Sequence, residues 1–230
     1  MPVFALVEEP VFPPAGWADK NGLLAIGGDL SPQRITNAYR GGIFPWFAQG
    51  DPILWWSPDP RLVIFPGEMH VSRTMDSIFE KNVFQPTYDR DFVKVLENCR
   101  KPRKKQPDTW ITPEMSAAYI ELHRLGYAHS LEVWSGAELV GGLYGLSFGK
   151  AFFGESMFSS LPNASKYALI ALARELFNRG FLFIDCQVPS PHLKTLGARE
   201  IPRSRFLKLL QKALTHPTQA GKWGIFPFQS

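Results

Sequence analysis

Asp185 and Gln187 stand two apart at the end of Phe181-Leu182-Phe183-Ile184-Asp185-Cys186-Gln187, a segment apolar until its last residues. On a strand such neighbours share one face while Cys186 points to the other. A carboxylate beside a carboxamide would orient the Gln187 carbonyl toward an incoming N–H, which suits attack of an amine on an ester better than hydrolysis. Polar residues at an exposed strand end give the same pattern. Glu155 closes another apolar run, Ala151-Phe152-Phe153-Gly154, and is expected at a strand end, either as a cation-binding carboxylate or as an ordinary solvent-facing one. Gly145-Leu146-Ser147-Phe148-Gly149 matches the GxSxG nucleophile elbow, with Asp185 and His192 following in hydrolase order. An elbow joins a strand to a helix, whereas Lys150 to Gly154 continues as a strand, so Ser147 is expected in a hairpin turn and the triad is disfavoured. Cys186 is disfavoured as a nucleophile because a lone buried thiol is usually inert.

A second kind of chemistry is written in the cations and indoles. Arg100-Lys101-Pro102-Arg103-Lys104-Lys105 carries five positive charges in six residues, and Trp110 follows closely. Lys194, Arg199, Arg203, Arg205, Lys208 and Lys212 are opposed by one acid, Glu200. Two basic segments beside an indole fit contacts to an RNA backbone with base stacking, and a solvated loop is the plainer alternative for the first of them. The whole chain is only mildly basic, 25 Lys+Arg against 21 Asp+Glu for a charge of +4, which excludes a histone-like tail protein.

These residues need a scaffold, and 230 residues with 45% apolar and 13% aromatic side chains can bury a sizeable core as one large or two small domains. Residues 1–60 are turn-rich and read as a small N-terminal domain. Its clearest helix has Ser31 as N-cap, Pro32 at the first helical position, Ile35, Ala38 and Tyr39 inward, and a stop at Gly41. The boundary is placed near Pro60, and residues 61–230 form the second domain. There a strand is expected at Leu62 to Phe65, a helix from Ser72, a short strand near Phe84, a helix through Phe92 and Cys99, and a helix opened by Thr112-Pro113 and ended by Gly126. A meander of three strands follows over Ser130 to Ser156, then a helix over Ala164 to Arg179, the buried strand holding Asp185, a short helix at Ser190-Pro191 and a last one through Phe206 and Leu214. Meander, helix, buried strand, helix is the order of an N-acetyltransferase-like mixed-sheet domain, so the expected class is α/β (α+β).

Only Cys99 and Cys186 occur, and no CxxC or HExxH spacing is present, so neither a disulfide scaffold nor a metal site is expected. Glu8 and Glu9 interrupt the N-terminal apolar stretch, and the longest charge-free apolar stretch, Leu139 to Gly149, is broken by four glycines and falls short of the ~20 residues of a membrane helix. A reduced, cytoplasmic protein without a membrane span is the expectation.

Several blocks are long and unusual in composition: Asn21-Gly22-Leu23-Leu24-Ala25-Ile26-Gly27-Gly28-Asp29-Leu30-Ser31-Pro32, Gly42 to Phe47, Leu54-Trp55-Trp56-Ser57-Pro58-Asp59-Pro60-Arg61, Thr109 to Thr112, His129 to Trp134, Gly154-Glu155-Ser156-Met157-Phe158-Ser159, Asn163 to Lys166 and Ile184 to Gln187. Together they resemble the bacterial leucyl/phenylalanyl-tRNA–protein transferase family. The resemblance implies transfer of Leu or Phe, and also Met, from aminoacyl-tRNA to proteins beginning with Arg or Lys, followed by N-degron-dependent proteolysis in the cytoplasm. It implies a monomer working without a cofactor or membrane. By position it assigns Asp185 and Gln187 to a catalytic pair and Glu155 to a carboxylate near the acceptor amine. It places Trp46 and Trp110 about the terminal adenosine, and Leu143, Met157, Leu169 and Ile184 around the transferred side chain. Two departures stand out: the basic loop is long, and Leu143 occupies a place where Met is expected. The competing readings are a CoA-dependent N-acetyltransferase, which would want a glycine-containing pyrophosphate loop where Phe158 to Asn163 has none, and a non-enzymatic RNA-binding module. For the transfer itself, two proton paths are open: Gln187 accepting the amine N–H while Asp185 polarises it, or the tRNA's vicinal hydroxyl carrying the proton.

Overall fold

The computed structural model describes residues 3–102 and 110–224, so Arg103, Lys104 and Lys105 of the basic run, and Thr109, lie outside the described residues. Two sheets are formed. The N-terminal one has four short strands, β1 (Phe4–Leu6), β2 (Leu23–Gly27), β3 (Phe44–Pro45) and β4 (Leu54–Trp56), in the order β1-β2-β4-β3. Its helix α1 (Pro32–Arg40) begins as expected, with Ser31 Oγ accepting the Arg34 N–H at 3.3 Å and Pro32 at the helix start.

The second sheet starts at β5 (Arg61–Ile64) and has seven strands. In chain order the rest are β6 (Gln85–Tyr88), β7 (Ala128–Ser135), β8 (Glu138–Phe148), β9 (Ala151–Ser159), β10 (Phe183–Gln187) and β11 (Arg199–Ile201), and the spatial order is β11-β5-β10-β9-β8-β7-β6. Strands β7, β8 and β9 form the expected meander, and β10 returns parallel to β9 after helix α5 (Ala164–Asn178). The remaining helices are α2 (Arg73–Glu80), α3 (Phe92–Arg100), α4 (Pro113–Arg124), α6 (Pro191–Lys194) and α7 (Arg203–Leu214). This is a mixed α/β fold.

Strand alternation divides the core into two layers, one on each face of the large sheet. Leu62, Ile64, Phe152 and Ile184 pack toward α2 and α5, while Val63, Ala151, Phe153 and Phe183 pack toward α1, α3, α4 and α7. The second layer also takes in Leu24, Ile35, Tyr39 and Trp55, so the N-terminal sheet and its helix are glued to the large sheet by one continuous apolar cluster.

Three expectations need correction. Ser147 is not in a turn: it is fully buried within β8, opposite Phe152, and the turn is made by Gly149 and Lys150. Glu155 does not end its strand, because β9 runs on to Ser159. The segment Arg199 to Ile201, read only as part of a basic tail, is an edge strand on β5. Among the described residues no helix is long and apolar enough to cross a membrane.

Candidate active site

Strands β9 and β10 pair in parallel from Ala151–Phe183 to Phe153–Asp185 and then part. Each carries an irregularity at the point of parting. On β9 the register against β8 passes from Ser156–Tyr144 to Gly154–Gly145, leaving Glu155 unmatched. On β10 the register against β5 passes from Asp185–Val63 to Gln187–Leu62, leaving Cys186 unmatched. Such bulges bend a strand and re-aim its side chains. Gly145 makes room for the first, since a Cβ there would lie 2.1 Å from the Phe153 carbonyl oxygen. At the second, Gln187 adopts φ +56°, a left-handed conformation rare for a residue with a side chain.

The second bulge undoes the expected sharing of a face. Asp185 is fully buried and gives both oxygens to Arg61: Oδ1 accepts from Nε at 2.9 Å and Oδ2 from Nη2 at 2.7 Å. Its remaining bond is from the Gln187 backbone N–H to Oδ1, 3.0 Å, which holds the left-handed residue in place. Arg61 is itself clamped between the Phe44 and Phe206 rings, 4.9 and 4.4 Å from their centroids, and donates to the Gly42 carbonyl at 3.1 Å. Asp185 therefore does not reach the Gln187 carboxamide, which turns the other way and donates from Nε2 to Glu155 Oε1 at 3.3 Å.

Glu155 is the meeting point of three elements. The Tyr39 hydroxyl of α1 donates to Oε1 at 2.7 Å and the Tyr119 hydroxyl of α4 to Oε2 at 2.9 Å, with the two phenol oxygens 2.7 Å apart. Burial drives the Glu155 pKa up, the two tyrosine hydrogen bonds pull it back, Asp185 raises it and Arg61 lowers it; the balance lies at about 7. Burial and the nearby carboxylate push the Tyr39 and Tyr119 phenols well above their ordinary range, so both stay protonated donors.

Two cavities share this group in their linings. The larger, about 330 Å³, falls in the range of small-molecule sites and is walled by Leu143, Met157, Leu169 and Ile184, with Trp110, Glu155 and Gln187 at its polar end. The smaller, about 150 Å³, is bounded by Phe44, Pro45, Trp46 and Trp110, and again by Glu155 and Gln187. Trp46 is 43% exposed and its ring lies 6.0 Å from that of Trp56, whose indole N–H donates to the Trp46 carbonyl at 2.7 Å. An apolar chamber and an aromatic-rimmed cleft thus meet at one carboxylate and one carboxamide.

All the residues assigned from the sequence line these cavities except Asp185, which stands behind them. Tyr39, Tyr119 and Arg61 were missed. The two tyrosines sit at inward positions of amphipathic helices, indistinguishable from core, and Arg61 opens an apolar strand at the inferred boundary; in neither case is there a local signal. The hydrolase alternative has no geometry. Ser147 Oγ has no hydrogen-bond partner among the described residues, burial pushes the Cys186 thiol up and so suppresses its thiolate, and His192 lies exposed on α6.

The family model described as leucyl/phenylalanyl-tRNA protein transferase matches residues 63–211, and that of the same family's N-terminal domain matches residues 28–59. The chain belongs to this family. Leucyl/phenylalanyl-tRNA–protein transferases of Nitrosomonas eutropha and Syntrophobacter fumaroxidans are 55% and 53% identical to it; the matches cover 95% and 97% of this chain and 94% and 96% of theirs. Like them, this member of the leucyl/phenylalanyl-tRNA protein transferase family is an enzyme of the transferase class. Among solved structures, that of L-PGS from Bacillus licheniformis aligns with a TM-score of 0.41 at 12% identity, over 73% of this chain and 54% of that one, a likeness that decides nothing here.

Proposed function

We propose that the protein moves Leu or Phe, and also Met, from aminoacyl-tRNA to the N-terminal α-amine of proteins beginning with Arg or Lys. The product would be recognised as an N-degron and degraded in the cytoplasm. The single observation that carries the reading is the junction of the two cavities. The apolar chamber takes the transferred side chain, the cleft between Trp46 and Trp110 takes the terminal adenosine, and the ester joining them then lies at Glu155 and Gln187.

The ester is already activated, so positioning supplies much of the rate. Gln187 lines the junction, and its Oε1, with no hydrogen bond among the described residues while Nε2 is committed to Glu155, is left as an acceptor for the amine N–H. Asp185 acts through the backbone, fixing the turn of Gln187. The chamber walls distinguish side chains by shape alone, and one methylene of apolar contact is worth only ~1–3 kcal/mol, so several unbranched or γ-branched side chains enter. We read the chain as two domains, residues 1–60 and 61–230, acting as a monomer.

The CoA-dependent alternative is opposed by the start of α5. There the Ala164 N–H is bonded to the Leu161 carbonyl at 3.2 Å and the Ser165 N–H to Ser159 Oγ at 3.2 Å, so these amides are not offered to a pyrophosphate.

The test mixes the purified protein with radiolabelled Leu-tRNA and peptides beginning with Arg or Ala. Label in the Arg peptide alone is expected; label in neither, from folded protein and intact tRNA, overturns the proposal. A second measurement addresses the cleft. Stacking of a base on an aromatic side chain is worth ~1–3 kcal/mol, so Trp110→Ala is expected to weaken binding of aminoacyl-adenosine about 5- to 150-fold with the fold intact. An unchanged Kd would remove Trp110 from the adenosine site.

A further inference from the structure

We propose that Glu155 is the proton carrier of the transfer: its carboxylate takes a proton from the attacking amine and returns it to the departing ester oxygen, aimed throughout by Tyr39 and Tyr119. This rests on the transfer reading above and assigns a role within it.

The geometry singles Glu155 out. Of the two carboxylates near the junction among the described residues, Asp185 is fully buried and saturated by Arg61 and the Gln187 N–H. Glu155 lines both cavities and is the acid within reach of an amine placed between them. The groups facing it are Tyr39 from α1, Tyr119 from α4, Tyr144 from β8, Arg61 from β5, and Asp185 and Gln187 from β10.

The two tyrosines make room for a proton with no heavy atom moving, by rotation of a hydroxyl. Three oxygen pairs are in hydrogen-bond contact, Glu155 Oε1 with Tyr39 at 2.7 Å, Tyr39 with Tyr119 at 2.7 Å, and Tyr119 with Glu155 Oε2 at 2.9 Å. With Glu155 ionised the ring holds two protons, both donated to the carboxylate, and the contact between the phenols is unfilled. With Glu155 protonated the ring holds three. Oε1–H then donates to Tyr39, Tyr39 to Tyr119, and Tyr119 to Oε2, so each contact has one proton. Both states of a proton carrier are thus served by one arrangement, and a pKa at about 7 leaves both populated near neutrality.

The step balances. The amine nitrogen forms its bond to the ester carbonyl carbon and gives one proton to Glu155. The bond from that carbon to the ribose oxygen breaks, and the oxygen leaves with the proton from Glu155. The carboxylate is restored, and no oxidant, reductant or further reactant is consumed. Tyr39 and Tyr119 touch no reacting atom and are positioning residues. Because Tyr39 belongs to α1, the N-terminal sheet's helix contributes directly to the reacting end of the large sheet.

The test follows transfer from Phe-tRNA in single turnover across pH. The acceptor is a peptide bearing a terminal hydrazide nitrogen, which stays unprotonated over the range, so that the only acid limb is the enzyme's. The wild-type rate is expected to rise with pH through about 7 and then level, because Glu155 works ionised. Glu155→Gln should lower the plateau roughly 10²- to 10⁴-fold and flatten the limb. Tyr39→Phe and Tyr119→Phe each remove one donor to the carboxylate, so their limbs should move to higher pH by roughly one unit, with a plateau lowered less than in Glu155→Gln. An active wild type with an undiminished Glu155→Gln plateau, or with limbs that stay put in both phenylalanine variants, overturns the assignment to Glu155 alone. A wild type inactive with amine and hydrazide acceptors at every pH overturns the transfer reading and this proposal together.

Discussion

Arg61→Met is expected to cost about 3–5 kcal/mol of stability, because it leaves the Asp185 carboxylate buried without its cation. Both side chains are wholly inaccessible, so no water can stand in for the guanidinium. The methionine keeps most of the volume between Phe44 and Phe206, which separates the charge effect from a cavity effect. The double variant Arg61→Met/Asp185→Leu should regain most of the loss, since replacing a buried pair by apolar residues is often nearly neutral. What it should not regain is transfer. Without Asp185 Oδ1 the Gln187 N–H has no acceptor and the left-handed turn that aims the carboxamide is unsupported. Urea unfolding of the three proteins, with transfer assays alongside, checks both halves. A single variant within 1 kcal/mol of wild type would show that the pair is not what holds this end of β10.

Trp223→Ala should cost a comparable ~3–5 kcal/mol, the range for truncating a buried aromatic. Trp223 is 4% exposed and stacks on His129, with centroids 3.8 Å apart and planes 9° apart. It also abuts Phe152, 5.9 Å away, whose ring lines the larger cavity. Its backbone N–H donates to Asp89 Oδ2 at 2.7 Å, the same oxygen that meets His129 Nδ1 at 2.9 Å, while His123 lies 3.9 Å from Asp89 Oδ1.

This cluster gives stability a pH dependence. Burial lowers the His129 pKa despite the hydrogen bond to Asp89. Burial opposes ionisation of Asp89 too, but the hydrogen bonds from His129, Trp223 and Ser130 outweigh it and hold its pKa below the ordinary value. Both groups are therefore depressed in the folded state. Their contribution is present above the unfolded pKa values, ~6.5 and ~3.9, and is lost as pH falls through the folded ones. In thermal unfolding the share of stability carried by His129 should decline below pH ~6.5, against the opposite slope of Glu155, whose raised pKa of about 7 favours the folded state on the acid side. In Trp223→Ala the first part of that decline should shrink, because His129 regains water and its pKa returns toward the ordinary value. An identical pH profile in the variant would mean that the stack does not shield the imidazole.

The helix starts were legible because their signals are local. Ser31, Ser72, Thr112 and Ser190 each cap the helix that follows with a side-chain oxygen. The meander and the buried, central place of β10 followed from alternation and from an apolar run too continuous for an edge strand; its parallel pairing with β9 is given by the fold alone. The four short strands up to Trp56 were not legible, since strands of two to five residues show too little period to detect. The chemistry was legible as residue types and not as bonds. Alternation put Asp185 and Gln187 on one face, and a single unmatched residue between them, decided by what β5 offers opposite, sent one to Arg61 and the other to Glu155. Tyr39, Tyr119 and Trp223 act across 116, 36 and 134 residues of sequence respectively, distances at which only the folded chain brings partners together.

The unmatched residues on β9 and β10 also set how such a site can be gained or lost. Each bulge is one residue of surplus chain. Deleting Cys186 would remove the surplus on β10 and let its ladder with β5 run on without a break. The sheet would become more regular, and Gln187 would lose the left-handed turn that aims its carboxamide at Glu155. Side-chain exchange alone does not produce that change, whereas the gain or loss of one codon does, so the reactive cleft is a property of how the strands are counted as much as of what they carry.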